Sequence, residues 1–379
     1  MRKLSYLYLL ISGLTLYSNV LYAQLTLPPS GDNQKSSVSQ NMGLVSVSIN
    51  YSSPNVDGRE GKIWGQLVPY GFANLQFGIS SDENPSPWRA GANENTTISF
   101  SHDVMVEGKP IKAGTYGLHM VTGLEEWIII FSNNSTAWGS FSYKPEEDAL
   151  RVTVKPEKNE FTEWLTYEFT DRQASSCTFE MQWENVAVPV KISVPDINEV
   201  YFQQLSKELQ TAPGFDYNNF VNAALFCATN KIHLETALQW ADEAITGSTY
   251  AFTARKDFTT MNCKATVLDS MGRKDEAKAL MTEAIKDPSA PMLAVHFYAR
   301  GLQGQKKNEE ALEVFKMNYK KFPNDAVTNL GLARGYSATG DYKNAMKFVD
   351  AALTLSPNPQ VKATLEDAKK KLAEGKDFN

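Results

Sequence analysis

A spacing of 34 residues recurs in the second half of the chain and limits what that half can fold into. Small residues and prolines repeat at this interval or at twice it: Ala277, Ala311 and Ala345; Pro323 and Pro357; Gly272 and Gly340. An alanine where two helices cross lets the backbones approach, a glycine permits a turn, and a proline after a helix prevents its continuation. The spacing therefore predicts stacked helix pairs.

This pattern resembles the tetratricopeptide repeat, and the last unit shows it best. Three units share one register, and Ala237, Ala241 and Ala244 indicate an earlier, divergent unit. The resemblance implies a solenoid over residues 215–379 with a capping helix at its end. It also implies a concave surface that binds a protein or peptide partner. The alternatives are that the repeats only pack on the rest of the chain or self-associate.

The first half of the chain has the composition of a β domain. Six of the seven tryptophans precede Pro195. Runs of β-branched and aromatic residues alternate with turn signals, at 45–49, 96–106, 115–121, 127–131 and 150–154. This alternation predicts an all-β sandwich or barrel over residues 44–195. The segments 138–143 and 149–154 predict a hairpin around a turn at 145–148.

The pattern changes to helical periodicity after Pro195. Asp196 has the position of a helix N-cap, and Glu199 lies three residues later. Together they predict a connecting helix within 196–214. The fold class expected from the whole sequence is therefore multidomain, with an N-terminal all-β sandwich or barrel followed by an all-α, tetratricopeptide-like solenoid.

The N-terminus has the pattern of a secretory signal peptide. Arg2 and Lys3 precede an apolar stretch, and Ala23 ends a segment of small and polar residues. We expect cleavage after Ala23, a flexible lead over residues 24–43, and no membrane span after cleavage. The alternative is a single membrane anchor, although polar residues interrupt the apolar stretch.

Five separated blocks of the β half resemble the bacterial family DUF2911. They are 62–71 (KIWGQLVPYG), 87–97 (PWRAGANENTT), 113–118 (AGTYGL), 126–127 (EW) and 138–152, and the resemblance covers about residues 42–194. The family has no assigned function, so it implies no catalytic residues. The resemblance is to exported proteins of Bacteroidetes-type bacteria. It therefore implies a periplasmic or outer-surface location for this protein in a Gram-negative cell. An insert at 72–85 separates two of the blocks.

The segment after Pro87 has the densest set of candidate binding residues. Arg89 offers a planar set of donors for a carboxylate or phosphate, and Trp88 offers a ring for a sugar or another flat ligand. The ligand-binding candidates are Trp88, Arg89, Asn93, Glu94, Thr96, His102 and His119. The structural alternative is that Arg89 pairs with Glu94 and fixes a loop, while Asn93 and Thr96 bond to loop backbone.

The two histidines lie in neighbouring predicted strands and need not share a face of the sheet. His102 shares its parity with the apolar Ile98 and Val104, so it is expected on the apolar side, as a core residue or as a base in a pocket. His119 is expected to face outward. An enzyme would use Glu94 and His102 here, and a metal triad of both histidines with Glu94 is an open but weakly supported alternative.

Other features restrict the function classes. No dinucleotide fingerprint, P-loop, nucleophile elbow or Cys/His cluster occurs, so no cofactor or metal is expected. The net charge of −6 argues against a nucleic-acid binder. Cys177, Cys227 and Cys263 are interpreted as free thiols, although export would permit a Cys227–Cys263 disulfide.

Three functions are compatible with these observations. The preferred one is an exported, non-enzymatic interaction protein that joins a β domain to a peptide- or protein-binding repeat scaffold. The second is a hydrolase acting on envelope material, with a polar site around Arg89, Glu94 and His102. The third is a carbohydrate-binding module that uses Trp88 and neighbouring tryptophans, so the β domain has a small polar or carbohydrate ligand as its possible partner.

Overall fold

The structure is a computed structural model that describes residues 33–355 and 358–379. The predicted signal peptide at 1–23 and Pro357 lie outside these residues. The chain divides into two compact units, one ending at Pro195 and the other beginning at Asp196. No helix in the described part is long and apolar enough to cross a membrane.

The β unit contains two antiparallel sheets. The six-stranded sheet has the order β1-β2-β3-β6-β7-β8, and the four-stranded sheet has the order β5-β4-β10-β9. The strands are β1 (Gln34–Met42), β2 (Val45–Ser53), β3 (Thr97–Phe100), β4 (Val104–Val106), β5 (Lys109–Ile111), β6 (Gly114–Val121), β7 (Trp127–Ser132), β8 (Asp148–Val154), β9 (Glu157–Thr170) and β10 (Ser176–Ser193).

Apolar residues on alternate positions form the core between the two sheets. On β2, Val45, Val47 and Ile49 are fully buried because alternate side chains of a strand share one face. The sheets meet where the rings of Tyr51 and Tyr167 pack edge to face, with centroids 4.8 Å apart. The predicted all-β first half is confirmed.

Three local predictions for this unit were wrong. Gln34–Met42, within the predicted flexible lead, is a strand that pairs along its whole length with β2. The predicted strand at 96–106 is two strands in different sheets, β3 and β4, because the chain bends between them. The segment 138–143 is not a strand, and β8 pairs with β7 instead. In each case long-range pairing, rather than the local pattern, decided the structure.

The second unit is helical throughout its described residues, as predicted. Its ten helices are α1 (Ile197–Glu208), α2 (Tyr217–Asn230), α3 (Leu234–Thr246), α4 (Phe258–Ser270), α5 (Lys274–Ala284), α6 (Met292–Gly304), α7 (Asn308–Lys321), α8 (Ala326–Ala338), α9 (Tyr342–Leu355) and α10 (Pro359–Ala373). The side chain of Asp196 caps α1 by accepting from the backbone N–H groups of Asn198 and Glu199, both at 3.0 Å.

Helices α2 to α9 form four consecutive pairs that pack as a repeat. The alanines that define the spacing, Ala277, Ala311 and Ala345, are all buried where helices meet. Gly272 and Gly340 adopt the left-handed conformation, with φ of 80° and 82°. Lys306 stands at the same position of the intervening repeat and adopts it too, with φ of 60°. The turn geometry is therefore preserved where the glycine is not.

The three cysteines are unpaired and buried. Burial raises the pKa of Cys177 and Cys227 to about 11 and that of Cys263 to about 12. Each thiol therefore stays protonated at neutral pH and packs as a small apolar group.

Candidate functional site

A cavity of about 350 Å³ lies in the β unit and brings together several of the predicted binding residues. Its walls are largely apolar, and they come from Pro54, Leu67, Val68, Pro69, Leu75, Pro87 and Trp88, among others. The polar lining consists of Asn33, Arg59, Ser86, Arg89, Asn93 and Trp183. Two arginines thus reach the cavity, and no aspartate or glutamate of the described residues lines it.

Two isolated pairs of backbone hydrogen bonds hold the lining segments in place. Beyond the end of β3, Trp88 lies beside β6 and exchanges two backbone hydrogen bonds with Met120, at 2.9 and 2.8 Å. Ala73 and Ser86 exchange a similar pair at 3.0 and 2.8 Å. The insert at 72–85 therefore supplies part of the cavity wall, since Ala73 and Leu75 line it.

Arg89 is held by an aromatic ring and a backbone carbonyl. Its guanidinium lies 4.6 Å from the centroid of the Phe141 ring, and its Nη1 donates to the carbonyl of Asn93 at 2.8 Å. Gly139 permits this approach, because a Cβ there would lie 2.7 Å from Nη1. Burial lowers the pKa of Arg89. In the described part of the chain no carboxylate lies within ion-pair distance of it, so the predicted pairing with Glu94 is wrong.

Two buried donors at the cavity have no hydrogen-bond partner. They are the Ser86 hydroxyl and the Trp183 indole N–H, each in a side chain about 1% exposed. A buried polar group without a partner costs stability. Such groups are uncommon in folded proteins, and two on one cavity indicate a place where a ligand or ordered solvent completes the bonding.

Four tryptophans form an aromatic cluster behind this cavity. Trp64 lies at the centre, with ring centroids 5.0 to 5.7 Å from those of Trp88, Trp127 and Trp183. Trp127 and Trp183 are almost completely buried. Trp64 packs edge to face on the other three rings, while Trp88 and Trp183 are stacked. The exposed tryptophans of this unit, Trp138 and Trp164, lie outside the cluster.

The polar residues after Arg89 mainly fix the loop. Asn93 adopts a left-handed backbone and lines the cavity. Thr96 is buried and donates to the carbonyl of Ala90 at 3.1 Å. Glu94 points elsewhere: it accepts from Ser52 at 3.1 Å and lies 2.8 Å from Lys35. The hydrogen bond from Lys35 lowers the pKa of Glu94.

Both histidine placements differ from the predictions. His102 is not on the apolar face of a strand; it lies in the bend between β3 and β4, partly exposed, with its Nδ1 2.9 Å from the hydroxyl of Ser101. His119 does not face outward. It is 2% exposed, and its Nδ1 lies 2.9 Å from the hydroxyl of Ser140, because the 138–143 segment covers that face of β6. Burial and then the charge of Arg89 lower the pKa of His119 to about 4.

The structure therefore separates the predicted site residues into groups. Trp88, Arg89 and Asn93 line one cavity, while Glu94 and His102 make hydrogen bonds with different residues. Within residues 33–355 and 358–379, no three His, Cys, Asp or Glu side chains are arranged to hold a metal ion. The sequence did not indicate Arg59, Ser86 and Trp183: Arg59 and Trp183 come from segments distant along the chain, and Ser86, although next to Pro87, carries no local signal.

A second candidate site lies on the helical unit, where the chain's last residues contact α6 and α8. The hydroxyl of Ser337 donates to Asp377 at 2.5 Å and accepts from the backbone N–H of Phe378 at 3.2 Å. The amide of Asn379 donates to the carbonyl of Arg334 at 3.0 Å. The ring of Phe378 lies 5.5 Å from the Arg334 guanidinium. The last three residues thus contact the first helices of two pairs.

Two arginines at equivalent repeat positions hold this segment. Arg300 on α6 and Arg334 on α8 are 34 residues apart, and both donate to the side-chain oxygen of Asn379, at 3.2 and 3.4 Å. Burial, followed by the charge of Arg300, lowers the pKa of Arg334 to about 10. Applying the 34-residue spacing to charged residues would have found this pair.

The comparisons with known proteins agree with both halves of this description. The family described as "Protein of unknown function (DUF2911)" matches residues 33–192, and the family described as "Tetratricopeptide repeat" matches residues 327–359. No curated protein matches the chain.

The similar solved structures are helical-repeat proteins. MamA from Desulfovibrio magneticus RS-1 is 19% identical and aligns with 43% of this chain and 93% of its own, with a TM-score of 0.30. YrrB, titled a tetratricopeptide protein with an unusual peptide-binding site, is 15% identical over 48% of this chain and 87% of its own (TM-score 0.32). A tetratricopeptide repeat protein from Parabacteroides merdae ATCC 43184 is 15% identical over 47% and 65% (TM-score 0.33).

Both family resemblances expected from the sequence are therefore confirmed. Residues 33–192 of the chain are similar to the DUF2911 family, and residues 327–359 of the helical unit are similar to the tetratricopeptide repeat.

Proposed function

We propose that the protein is an exported interaction scaffold whose helical repeats bind a peptide segment of a protein partner across α6 and α8. The observation that carries this proposal is the segment Asp377–Asn379, which already lies on these two helices. Tetratricopeptide-type arrays generally offer the surface of their first helices to such ligands. The family match at 327–359 includes α8 and therefore Arg334.

The chemistry of this surface favours an acidic and aromatic peptide. Arg300 and Arg334 supply two positive charges and both donate to Asn379, the ring of Phe378 lies near Arg334, and Asp377 accepts from the neighbouring Ser337. On α6, Leu293 and Phe297 are exposed and lie seven and three residues before Arg300. Residues with this spacing share one helix face, so apolar groups flank the arginines.

Export rests on the sequence of residues 1–23 alone. The basic, apolar and small-residue order of that segment supports secretion with cleavage after Ala23. Fractionation of cells that express the full chain, followed by N-terminal sequencing of the mature protein, tests this part. A protein that keeps Met1 and stays in the cytoplasm would contradict it.

Peptide binding can be tested with the chain's own segment. In a variant that lacks residues 377–379, we expect an amidated peptide of residues 372–379 to bind in trans, measured by fluorescence anisotropy. The intact protein should bind it at least about tenfold more weakly, because its own segment competes at a high effective concentration.

A matched pair of substitutions locates the site. Arg334→Gln in the shortened variant should weaken the peptide about tenfold or more, because charge-assisted hydrogen bonds are lost. Arg273→Gln is the control, since Arg273 pairs with Glu276 on an exposed surface at the start of α5. Equal binding by the intact and shortened proteins, or equal loss in both substitutions, would show that the segment does not mark a binding site.

A further inference from the structure

We infer that the cavity of the β unit binds a small organic anion, with a carboxylate or phosphate head placed between Arg89, Ser86 and Trp183 and a flat apolar body against the surrounding walls. This inference is independent of peptide binding by the helices, because every residue that carries it lies in the β unit.

The charge of the lining is the first observation. Arg59 and Arg89 both reach the cavity, and neither has a carboxylate within ion-pair distance among the described residues. Arg59 instead donates to the carbonyls of Val56 and Asn55, both at 2.8 Å. Guanidinium groups at partly buried positions normally meet a carboxylate or phosphate, because a desolvated charge without a counter-charge is costly. The cavity therefore has a net positive lining.

The hydrogen-bonding groups are the second observation. The indole N–H of Trp183 can only donate, the guanidinium of Arg89 can only donate, and the hydroxyl of Ser86 can donate as well as accept. The first and last of these are buried without a partner. Donors from two separate parts of the chain, residues 86–89 and Trp183, line one cavity, and an acceptor-rich head group would satisfy them together.

The walls and size define the rest of the ligand. Trp88 and Trp183 are stacked with an angle of 15° between their planes and both line the cavity. Leu67, Val68 and Leu75 add apolar surface. A volume of about 350 Å³ lies at the lower end of small-molecule sites. An anion with one compact apolar body fits these limits, whereas a polysaccharide chain or a protein segment does not.

Isothermal titration calorimetry of the purified protein with three probes tests the inference. The probes are benzoate, phenyl phosphate and the neutral isostere benzamide. We expect at least one of the two anions to bind at about millimolar concentration or below, and benzamide to bind at least about tenfold more weakly. Binding of benzoate alone identifies a carboxylate ligand, and binding of phenyl phosphate alone identifies a phosphate ligand.

Two substitutions place the anion in the cavity. Arg89→Gln should weaken the bound anion about tenfold or more, because a charge-assisted hydrogen bond is lost. Ser86→Ala removes a hydroxyl that has no protein partner, so it should weaken the anion about threefold while leaving the melting temperature unchanged or higher. This second variant keeps the test valid if Arg89→Gln does not fold.

Arg172→Gln is the matched control, because Arg172 also donates to a backbone carbonyl, that of Phe169 at 2.9 Å, but lies outside the cavity. It should leave the affinity unchanged. The inference fails if neither anion binds, if benzamide binds as tightly as the anions, or if Ser86→Ala and Arg172→Gln have the same effect on affinity.

Discussion

The β unit and the helical unit are packed by different kinds of residue. The β unit is built around large rings from distant segments, with Trp64 in contact with three other tryptophans. The helical unit is built around small residues at regular intervals, such as Ala311 and Ala345, which are fully buried. Regular small-residue packing leaves a periodic trace in a sequence, and a single aromatic cluster does not.

The two units also assemble their candidate sites differently. The lining of the β-unit cavity comes from three remote parts of the chain, near residues 33, 54–93 and 183. The two arginines that contact Asn379, Arg300 and Arg334, come from one position of two successive repeats. A substitution in one unit should therefore change stability, or its pH dependence, in a way that a comparable substitution in the other unit does not. Four experiments measure these differences.

The largest expected effect is the loss of a ring from the aromatic cluster. Trp127 is 1% exposed, and its indole N–H donates to the carbonyl of Gly123 at 2.8 Å. Trp127→Ala should lower the free energy of unfolding of the β unit by about 3–5 kcal/mol. Trp138→Ala, at a residue 60% exposed, should cost less than about 1 kcal/mol. Denaturant titration followed by tryptophan fluorescence reports mainly this unit, and similar losses in both variants would contradict a buried cluster.

The second effect is on the pH dependence of stability, which a different histidine causes in each unit. Burial lowers the pKa of His119 to about 4. The unfolded chain then binds more protons between pH 6.5 and 4, so the β unit should lose roughly 3 kcal/mol as pH falls through this range. His119→Gln should remove that slope from the tryptophan signal.

His296 provides the control for this experiment. Burial also lowers its pKa to about 4, but it lies on α6. His296→Gln should flatten the pH dependence of the helical circular dichroism signal and leave the tryptophan signal unchanged. If His119→Gln keeps the slope of the wild-type protein, the histidine is not the group that titrates.

The third effect compares two glycines at equivalent positions of the repeat. A Cβ at Gly335 on α8 would lie 2.8 Å from a methyl carbon of Leu312, whereas a Cβ at Gly301 on α6 would have no neighbour within 4 Å. Gly335→Ala should therefore destabilise the helical unit by about 1–3 kcal/mol. Gly301→Ala should stabilise it by about 0.5–1 kcal/mol. Thermal unfolding followed by circular dichroism measures both, and shifts of the same sign would contradict the close approach of α7 and α8.

The smallest effect concerns an ion pair at the edge of the first sheet. Lys35 and Glu94 are 2.8 Å apart, with side chains 74% and 37% exposed. Glu94→Gln should cost less than about 1 kcal/mol, because exposed pairs are screened by water and salt. Urea titrations at low and high salt measure the difference. A loss above about 2 kcal/mol would give Glu94 a structural importance that its surroundings do not indicate.

The sequence predicted the helical unit better than the β unit for a physical reason. The repeat alanines determine how closely helices approach, so their spacing alone indicates the architecture. Lys306 shows what the spacing of residue types does not predict. Its left-handed turn is imposed by the packing of the repeat and not by the conformational preference of lysine. The segment 34–42 was missed because its strand exists only through pairing with β2.

The candidate cavity could be predicted only in part. Trp88, Arg89 and Asn93 lie in one polar segment, and all three line the cavity. Ser86 and Trp183 have no local pattern that marks them, since it is their burial without partners that distinguishes them. The position of His119 depends on a loop more than 20 residues away, whose Ser140 accepts or donates its hydrogen bond.

The order of strands in the second sheet has a consequence for the rate of folding. β4 lies between β5 and β10, and its partners on β10 are Ile192 and Ser193, at the end of the β unit. This sheet cannot be completed until almost the whole unit has been synthesised. Helix pairs close over short sequence distances, and chains rich in local contacts fold faster. We therefore expect the β unit to set the slowest folding step of the protein, although its residues leave the ribosome before those of the helical unit.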